Sequence, residues 1–226
     1  MTLILKRSGL AKDFITGSQE NVVVRVPAHP VALELLSEFE KLGGLGIAAP
    51  SANRFGAVSP TASKDVLEEI GNYLSNTDQI LNGGQSLVGI ESTIISCLSD
   101  KPVVLRPGAI TIDLINNLIS VNLVSENNSH NLKVSGLLPS HYSPKAKVII
   151  KGIPKAGAGF LALSDIPTPP GVIRLAAPTT IEQFARVLYQ SMRAADQKGL
   201  KKIYVVLPKG SGISLAIRDR LKKAAN

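Results

Sequence analysis

From residue 148 onward, short apolar runs alternate with longer stretches of helical spacing, and that alternation admits few folds. Residues 148–150, 160–163 and 172–175 read as strands, followed by a helix over 180–198, a strand over 202–207 and a helix over 215–225. Parallel neighbours need a crossover segment, which a helix supplies, whereas antiparallel neighbours can be joined by a tight turn. The rhythm therefore predicts a small Rossmann-like α/β domain with a largely parallel sheet over residues 148–226.

The first half is more broken. Thr2-Leu3-Ile4-Leu5-Lys6 and Val22-Val23-Val24-Arg25-Val26 read as short strands, the second ended by Pro27. Residues 31–42 place apolar side chains at 32, 33, 35, 36, 39 and 42, a helical spacing stopped by Gly43-Gly44. Ile47-Ala48-Ala49 is expected to be a short buried strand. A helix follows over 63–70, then paired strands over 92–98 and 103–105 around the turn Ser99-Asp100-Lys101-Pro102, then a short helix over 112–119. The stretch 119–147 reads as a linker, rich in Asn and Ser at first and then carrying Pro139-Ser140-His141-Tyr142-Ser143-Pro144. No internal repeat is present.

Charge divides the chain. Residues 1–117 hold nine Lys/Arg against twelve Asp/Glu, while residues 118–226 hold sixteen against five. Such asymmetry suits a polyanion such as tRNA or double-stranded RNA, and equally a solvated basic surface. Aromatic residues make up 4% and Trp is absent, so any nucleic-acid contact would rest on phosphates rather than on base stacking. The single cysteine, Cys97, lies in an apolar run and is expected to be a small core residue. No apolar stretch is long enough to span a membrane, and a cytoplasmic location is expected by default.

Three loops carry candidate chemistry, each following an expected strand, where α/β proteins place their ligands. In Pro50-Ser51-Ala52-Asn53 a hydroxyl and an amide can face one ligand, although such residues also form turns and caps. In Gly89-Ile90-Glu91-Ser92-Thr93 the glycine permits close approach and two hydroxyls follow, or the glycine simply turns the chain into a strand. In Leu105-Arg106-Pro107-Gly108 an arginine at a strand end can hold a phosphate with its planar fork, or form a surface salt bridge. There is no Gly-Lys-Ser/Thr phosphate loop, no Gly-x-Gly-x-x-Gly fingerprint and no Gly-x-Ser-x-Gly elbow. His29, His130 and His141 lack zinc-ligand spacing, so no metal ligand is expected.

Taken in order, Val24-Arg25-Val26-Pro27, the run from Ile47 to Asn53, Gly89–Thr93 and Arg106-Pro107-Gly108 resemble the YrdC-like domain of threonylcarbamoyl-AMP synthases. Pro139-Ser140-His141-Tyr142-Ser143-Pro144 resembles the linker of the two-domain members, and residues 214–221 the end of their C-terminal domain. The resemblance implies a partial YrdC-like α/β domain with a mixed sheet over 1–118, a linker over 119–147 and a small α/β domain over 148–226. It implies a nucleotidyltransferase that turns L-threonine, bicarbonate and ATP into threonylcarbamoyl-adenylate and pyrophosphate for tRNA modification. Magnesium would come with the nucleotide, and threonylcarbamoyl transferase proteins would take the product.

By motif position, Arg25, Ala49 and Ser92 would bind threonine. Asn21, Ser51, Asn53, Ser59, Arg106 and Tyr142 would bind ATP. The family's catalytic domain opens with a Thr-rich loop and a Lys-x-Arg motif that do not occur here. An N-terminally incomplete copy, inactive alone, is therefore expected. Two other classes stand beside this reading: a non-catalytic RNA-binding module of the same fold, and the related carbamoyl-adenylate chemistry of hydrogenase maturation factors. The tyrosine-bearing linker and the C-terminal domain speak against the second.

Overall fold

A computed structural model describes residues 1–119, 123–125 and 142–225. Strand β1 (Thr2–Lys6) alternates inward and outward, with Ile4 fully buried, as a half-buried strand must. It pairs antiparallel with β2 (Asn21–Val24) and parallel with β3 (Ile94–Ser96). Strand β4 (Val103–Arg106) lies antiparallel to β3 across the expected turn, and β5 (Val124–Ser125) adds a parallel edge. The order β2-β1-β3-β4-β5 makes a mixed five-stranded sheet. Ile95, Val104, Ile115 and Leu123 form its core, with Cys97 packed against them, and burial pushes the Cys97 thiol up.

Between β1 and β2 sits the single turn α1 (Asp13–Thr16), closed by Gly17 at φ 61°. Arg7 pairs there with Asp13 and, at 3.0 Å, with Glu20. Helix α2 (Pro30–Lys41) begins with proline at its first position, where a missing N–H costs nothing, and it contributes no buried residue. Helix α3 (Ser63–Ile70) is tied at its start by Asp65, which accepts from the Thr61 and Ala62 amides at 2.8 and 3.0 Å. Helix α4 (Ile112–Asn116) is capped by the Thr111 hydroxyl, which accepts from Leu114 N–H.

The second sheet has the order β6-β9-β7-β8, from β6 (Lys147–Ile149), β7 (Gly159–Leu161), β8 (Ile173–Ala176) and β9 (Lys202–Val205), all paired parallel. Helices α5 (Ile181–Gln197) and α6 (Ile213–Ala224) cover one face. On α5, Phe184, Leu188, Tyr189, Met192 and Ala195 share one buried stripe at the helical period. Val58 from the first half of the chain and Tyr142 from the linker join that same core and help close the second half.

Two expectations need correction. Residues 47–49 are not a strand; Ala48 and Ala49 are exposed and Ile47 is 45% exposed, since no described strand lies beside them to supply a ladder. Strand β2 stops at Val24 rather than Val26, whose side chain is in solvent one residue before Pro27. His130 and Pro139-Ser140-His141 lie outside the described residues. Among the described residues no helix is long and apolar enough to cross a membrane.

Candidate functional site

At the strand ends beside the second sheet, polar side chains converge on Glu91. Its carboxylate accepts from the Ser59 hydroxyl at 2.7 Å, the Tyr189 hydroxyl at 2.9 Å and Arg220 Nε at 2.8 Å. Ser59 lies in the loop before α3, Tyr189 on α5 and Arg220 on α6, so one carboxylate gathers three separate stretches of chain. Burial pushes the Glu91 carboxyl up, but the charge and hydrogen bond of Arg220, with the Ser59 bond and the nearby Arg106 charge, bring it below its ordinary value.

Arg220 is fully buried. Its guanidinium also donates to Asp219 at 2.6 Å and to the Pro107 carbonyl at 3.1 Å, and it lies 5.5 Å above the Tyr142 ring. Burial opposes its charge, yet the surrounding tyrosine oxygens and carboxylates hold its pKa above the ordinary value. Burial and the Glu91 charge raise Tyr189, which stays protonated and able to donate.

Arg106, last residue of β4, is buried on the same spot. Nε and Nη2 donate to the Ser92 carbonyl at 3.1 and 2.9 Å, and Nη2 also reaches the Ser92 hydroxyl at 3.3 Å. Nη1 donates to the Tyr142 hydroxyl at 3.4 Å. Burial depresses the Arg106 pKa, though far too little to discharge a guanidinium near neutrality. Tyr142 stacks on Tyr189 with centroids 5.7 Å apart, and its backbone sits at φ 67°, a region costly for a bulky residue. Ser143 N–H fixes it from one side by donating to the Gly56 carbonyl at 2.9 Å. The Ser92 hydroxyl meets Thr2 Oγ1 at 2.7 Å.

Two glycines make the approach possible. Gly89 (φ 79°) lies against α5 so closely that a Cβ would strike the Arg186 Cα and Ala185 carbonyl at 2.5 and 2.6 Å. The close approach expected there is thus to a helix backbone. A Cβ on Gly108 would collide with the Thr93 amide and the Glu91 carbonyl.

Of the residues singled out from sequence, Ser59, Ser92, Arg106 and Tyr142 are brought together. Arg25 is exposed just beyond β2, at the same end of the strand pair as Thr2 and Ser92; burial, and after it the Arg25 charge, lower the pKa of the Met1 amine. Asn21 lies at the opposite end, paired with Lys6, roughly 13 Å of strand away. Ala49 and Ser51 are exposed in the loop before α3. Asn53 braces that loop by donating to the Arg54 and Ala57 carbonyls at 2.9 and 3.2 Å, while its Oδ1 is buried with no partner among the described residues. Sequence reasoning assigned no role to Glu91, Tyr189 or Arg220. Glu91 was visible as the one acid among hydroxyls and apolar residues in its loop, but nothing local names its partners.

Donors outnumber acceptors in the cluster: two guanidiniums, hydroxyls and phenols stand against the carboxylates of Glu91 and Asp219, both already engaged by Arg220. Such a set favours negative charge beside it.

Comparison with known proteins identifies the family. Residues 1–108 match the Sua5/YciO/YrdC family model described as telomere recombination, and residues 110–226 match the C-terminal domain of threonylcarbamoyl-AMP synthase. The chain is 31% identical to the threonylcarbamoyl-AMP synthase of Pyrococcus abyssi, over all of this chain and 70% of that one. It is 32% identical to the Bacillus subtilis enzyme of the same name, over all of this chain and 69% of that one. The crystal structure of P. abyssi Sua5 complexed with L-threonine superposes with a TM-score of 0.82 at 30% identity, covering 99% of this chain and 69% of that one. With a mixed sheet and a parallel sheet joined through Glu91 and Arg220, and both family models matched in order, the chain belongs to the threonylcarbamoyl-AMP synthase family.

Proposed function

We propose that this chain acts in the synthesis of threonylcarbamoyl-adenylate from L-threonine, bicarbonate and ATP, the activated group destined for tRNA. The observation that carries this reading is the whole-chain likeness to a threonine-bound relative, together with the clustering of Ser92, Arg106 and Tyr142 at strand ends. It supports a synthase over a non-catalytic RNA-binding module.

Arg25 and Ser92, with the Ala49 backbone, hold threonine in this reading. Arg106, Ser51, Ser59 and Tyr142 hold ATP, with Asn53 stiffening the loop and Asn21 reaching the nucleotide from the far end of β2. Threonine amine and bicarbonate give a carbamate and water, a C–N bond replacing a C–O bond; the carbamate oxygen then attacks the α-phosphorus while the bond to pyrophosphate breaks. No protein nucleophile is needed: the chain positions the reactants and its cations meet the charge that builds on the phosphate.

Magnesium fits as a passenger of the nucleotide rather than a ligand of the chain. Among the described residues no group of His, Cys, Asp or Glu is arranged to hold a metal, and Glu91 is engaged by three donors. Bound to the phosphates, it would neutralise charge. A reading with catalytic residues 1–118, linker 119–147 and C-terminal residues 148–226 accommodates these roles.

Calorimetric titration of L-threonine into the full chain with ATP, bicarbonate and magnesium tests the proposal. Saturable heat that Arg106→Ala abolishes is expected. Threonine heat indifferent to Arg106→Ala, or none beside salt-dependent tRNA binding, would overturn it.

A further inference from the structure

After β9 the chain turns through Pro208-Lys209-Gly210-Ser211-Gly212 into α6. Gly210 and Gly212 stand at φ 97° and 63°, backbone that favours glycine. Arg218 holds the turn by donating to the Pro208 and Gly210 carbonyls at 2.8 and 2.9 Å. A strand of a parallel sheet, a glycine-bounded turn and a helix N-terminus together form the setting in which backbone N–H groups and the helix dipole receive a phosphate.

This turn lines a cleft of about 580 Å³ between the two halves of the chain. None of the cleft's walls belongs to the Glu91–Arg106 cluster. Ser214, in the first turn of α6, also lines it; the residue is 2% exposed, yet its hydroxyl has no hydrogen-bond partner among the described residues. The hydroxyl opens on the cleft, where a ligand or ordered water can reach it. Facing it from α5, Arg186 donates Nε to the Leu87 carbonyl at 2.8 Å, and its two terminal nitrogens make no hydrogen bond among the described residues. That leaves a guanidinium fork for an oxyanion, held in place at its stem.

The remaining wall defines the rest of the ligand. Leu87, Val88 and Leu114 are exposed apolar side chains along the cleft, while Glu182 lies among the lining residues with a carboxylate that repels a bare polyanion and accepts from hydroxyl or amino groups. We propose that this cleft is a second binding site, separate from the Ser92–Arg106 cluster, for a phosphate monoester on a hydroxyl-bearing body. The phosphate lies between the Gly210–Gly212 turn, the Ser214 hydroxyl and the Arg186 fork. The body lies along Leu87 and Val88. Because those residues lead directly into Gly89–Glu91, occupancy stiffens the segment that carries Glu91.

Titration of the full chain with AMP, glycerol 3-phosphate and inorganic phosphate, followed by calorimetry and by amide NMR shifts, tests this assignment and separates nucleoside from polyol esters. At least one ester is expected to bind with one-to-one stoichiometry and more tightly than inorganic phosphate. Arg186→Gln should weaken it about tenfold or more, Ser214→Ala by several-fold, and Arg106→Ala should leave it unchanged. Ser214→Ala removes a single hydroxyl and serves where the Arg186 variant disturbs folding. Ester binding lost in Arg106→Ala but retained in both cleft variants would overturn the proposal, as would no binding at millimolar concentration or inorganic phosphate binding as tightly as the esters.

Discussion

Glu91 shows how a buried charge is kept. Its side chain is 19% exposed, and the cation it faces, Arg220, is fully buried. Replacing Glu91 by Gln preserves shape but leaves Arg220 short of its counter-charge, and breaking a buried pair in this way should cost about 3 kcal/mol, read from urea denaturation. The pH dependence has a definite sign. Burial alone would raise the carboxyl, but Arg220 and Ser59 lower it, so the folded pKa lies below the ordinary 4.5. Its stabilisation is therefore complete above that value and is lost as pH falls through the lower folded one. The stability gap between the native chain and Glu91→Gln should shrink over that range. Ser92, Arg106 and Tyr142 were legible in the sequence because each ends a strand or joins a recognisable motif. Arg220 was not: 129 residues separate it from Glu91, and an arginine in a basic helix looks like a solvated one until the fold buries it.

At the scale of elements, α3 shows why its limits were readable and those of its neighbours were not. Asp65 accepts from the Thr61 amide and hydroxyl and from the Ala62 amide, three bonds that start the helix where the sequence places it. Asp65→Ala should lower stability by about 1–2 kcal/mol, measured as a shift in thermal midpoint. The loss should spread to Glu69 on the same helix, which bonds Arg193 on α5 at 2.9 Å. By contrast, Ile47-Ala48-Ala49 has a strand's composition without a strand's neighbour, and composition carries no information about pairing. In the second sheet the crossover from β8 to β9 was legible because α5 is long enough to mark itself; the joins from β6 to β7 and from β7 to β8 contain no helix, and the position of β9 between β6 and β7 is decided by packing.

For the molecule as a whole, the halves are joined by charge as well as by apolar contact. Arg220 crosses to Glu91, Arg193 crosses to Glu69 and the Val58 carbonyl, and Val58 and Tyr142 sit in the core beneath α5 and α6. Scanning calorimetry of the native chain should show a single transition. The double variant Glu91→Gln with Arg193→Ala removes both ionic crossings and should resolve two, one per sheet; one undivided transition would show that the apolar seam alone couples them. The crossing at Arg220 also sets an order of events during translation. Glu91 leaves the ribosome 129 residues before Arg220, an interval of about ten seconds at ordinary elongation rates. Throughout that time the first sheet carries an acid whose cation has not yet been made, and the nascent chain must keep it in water.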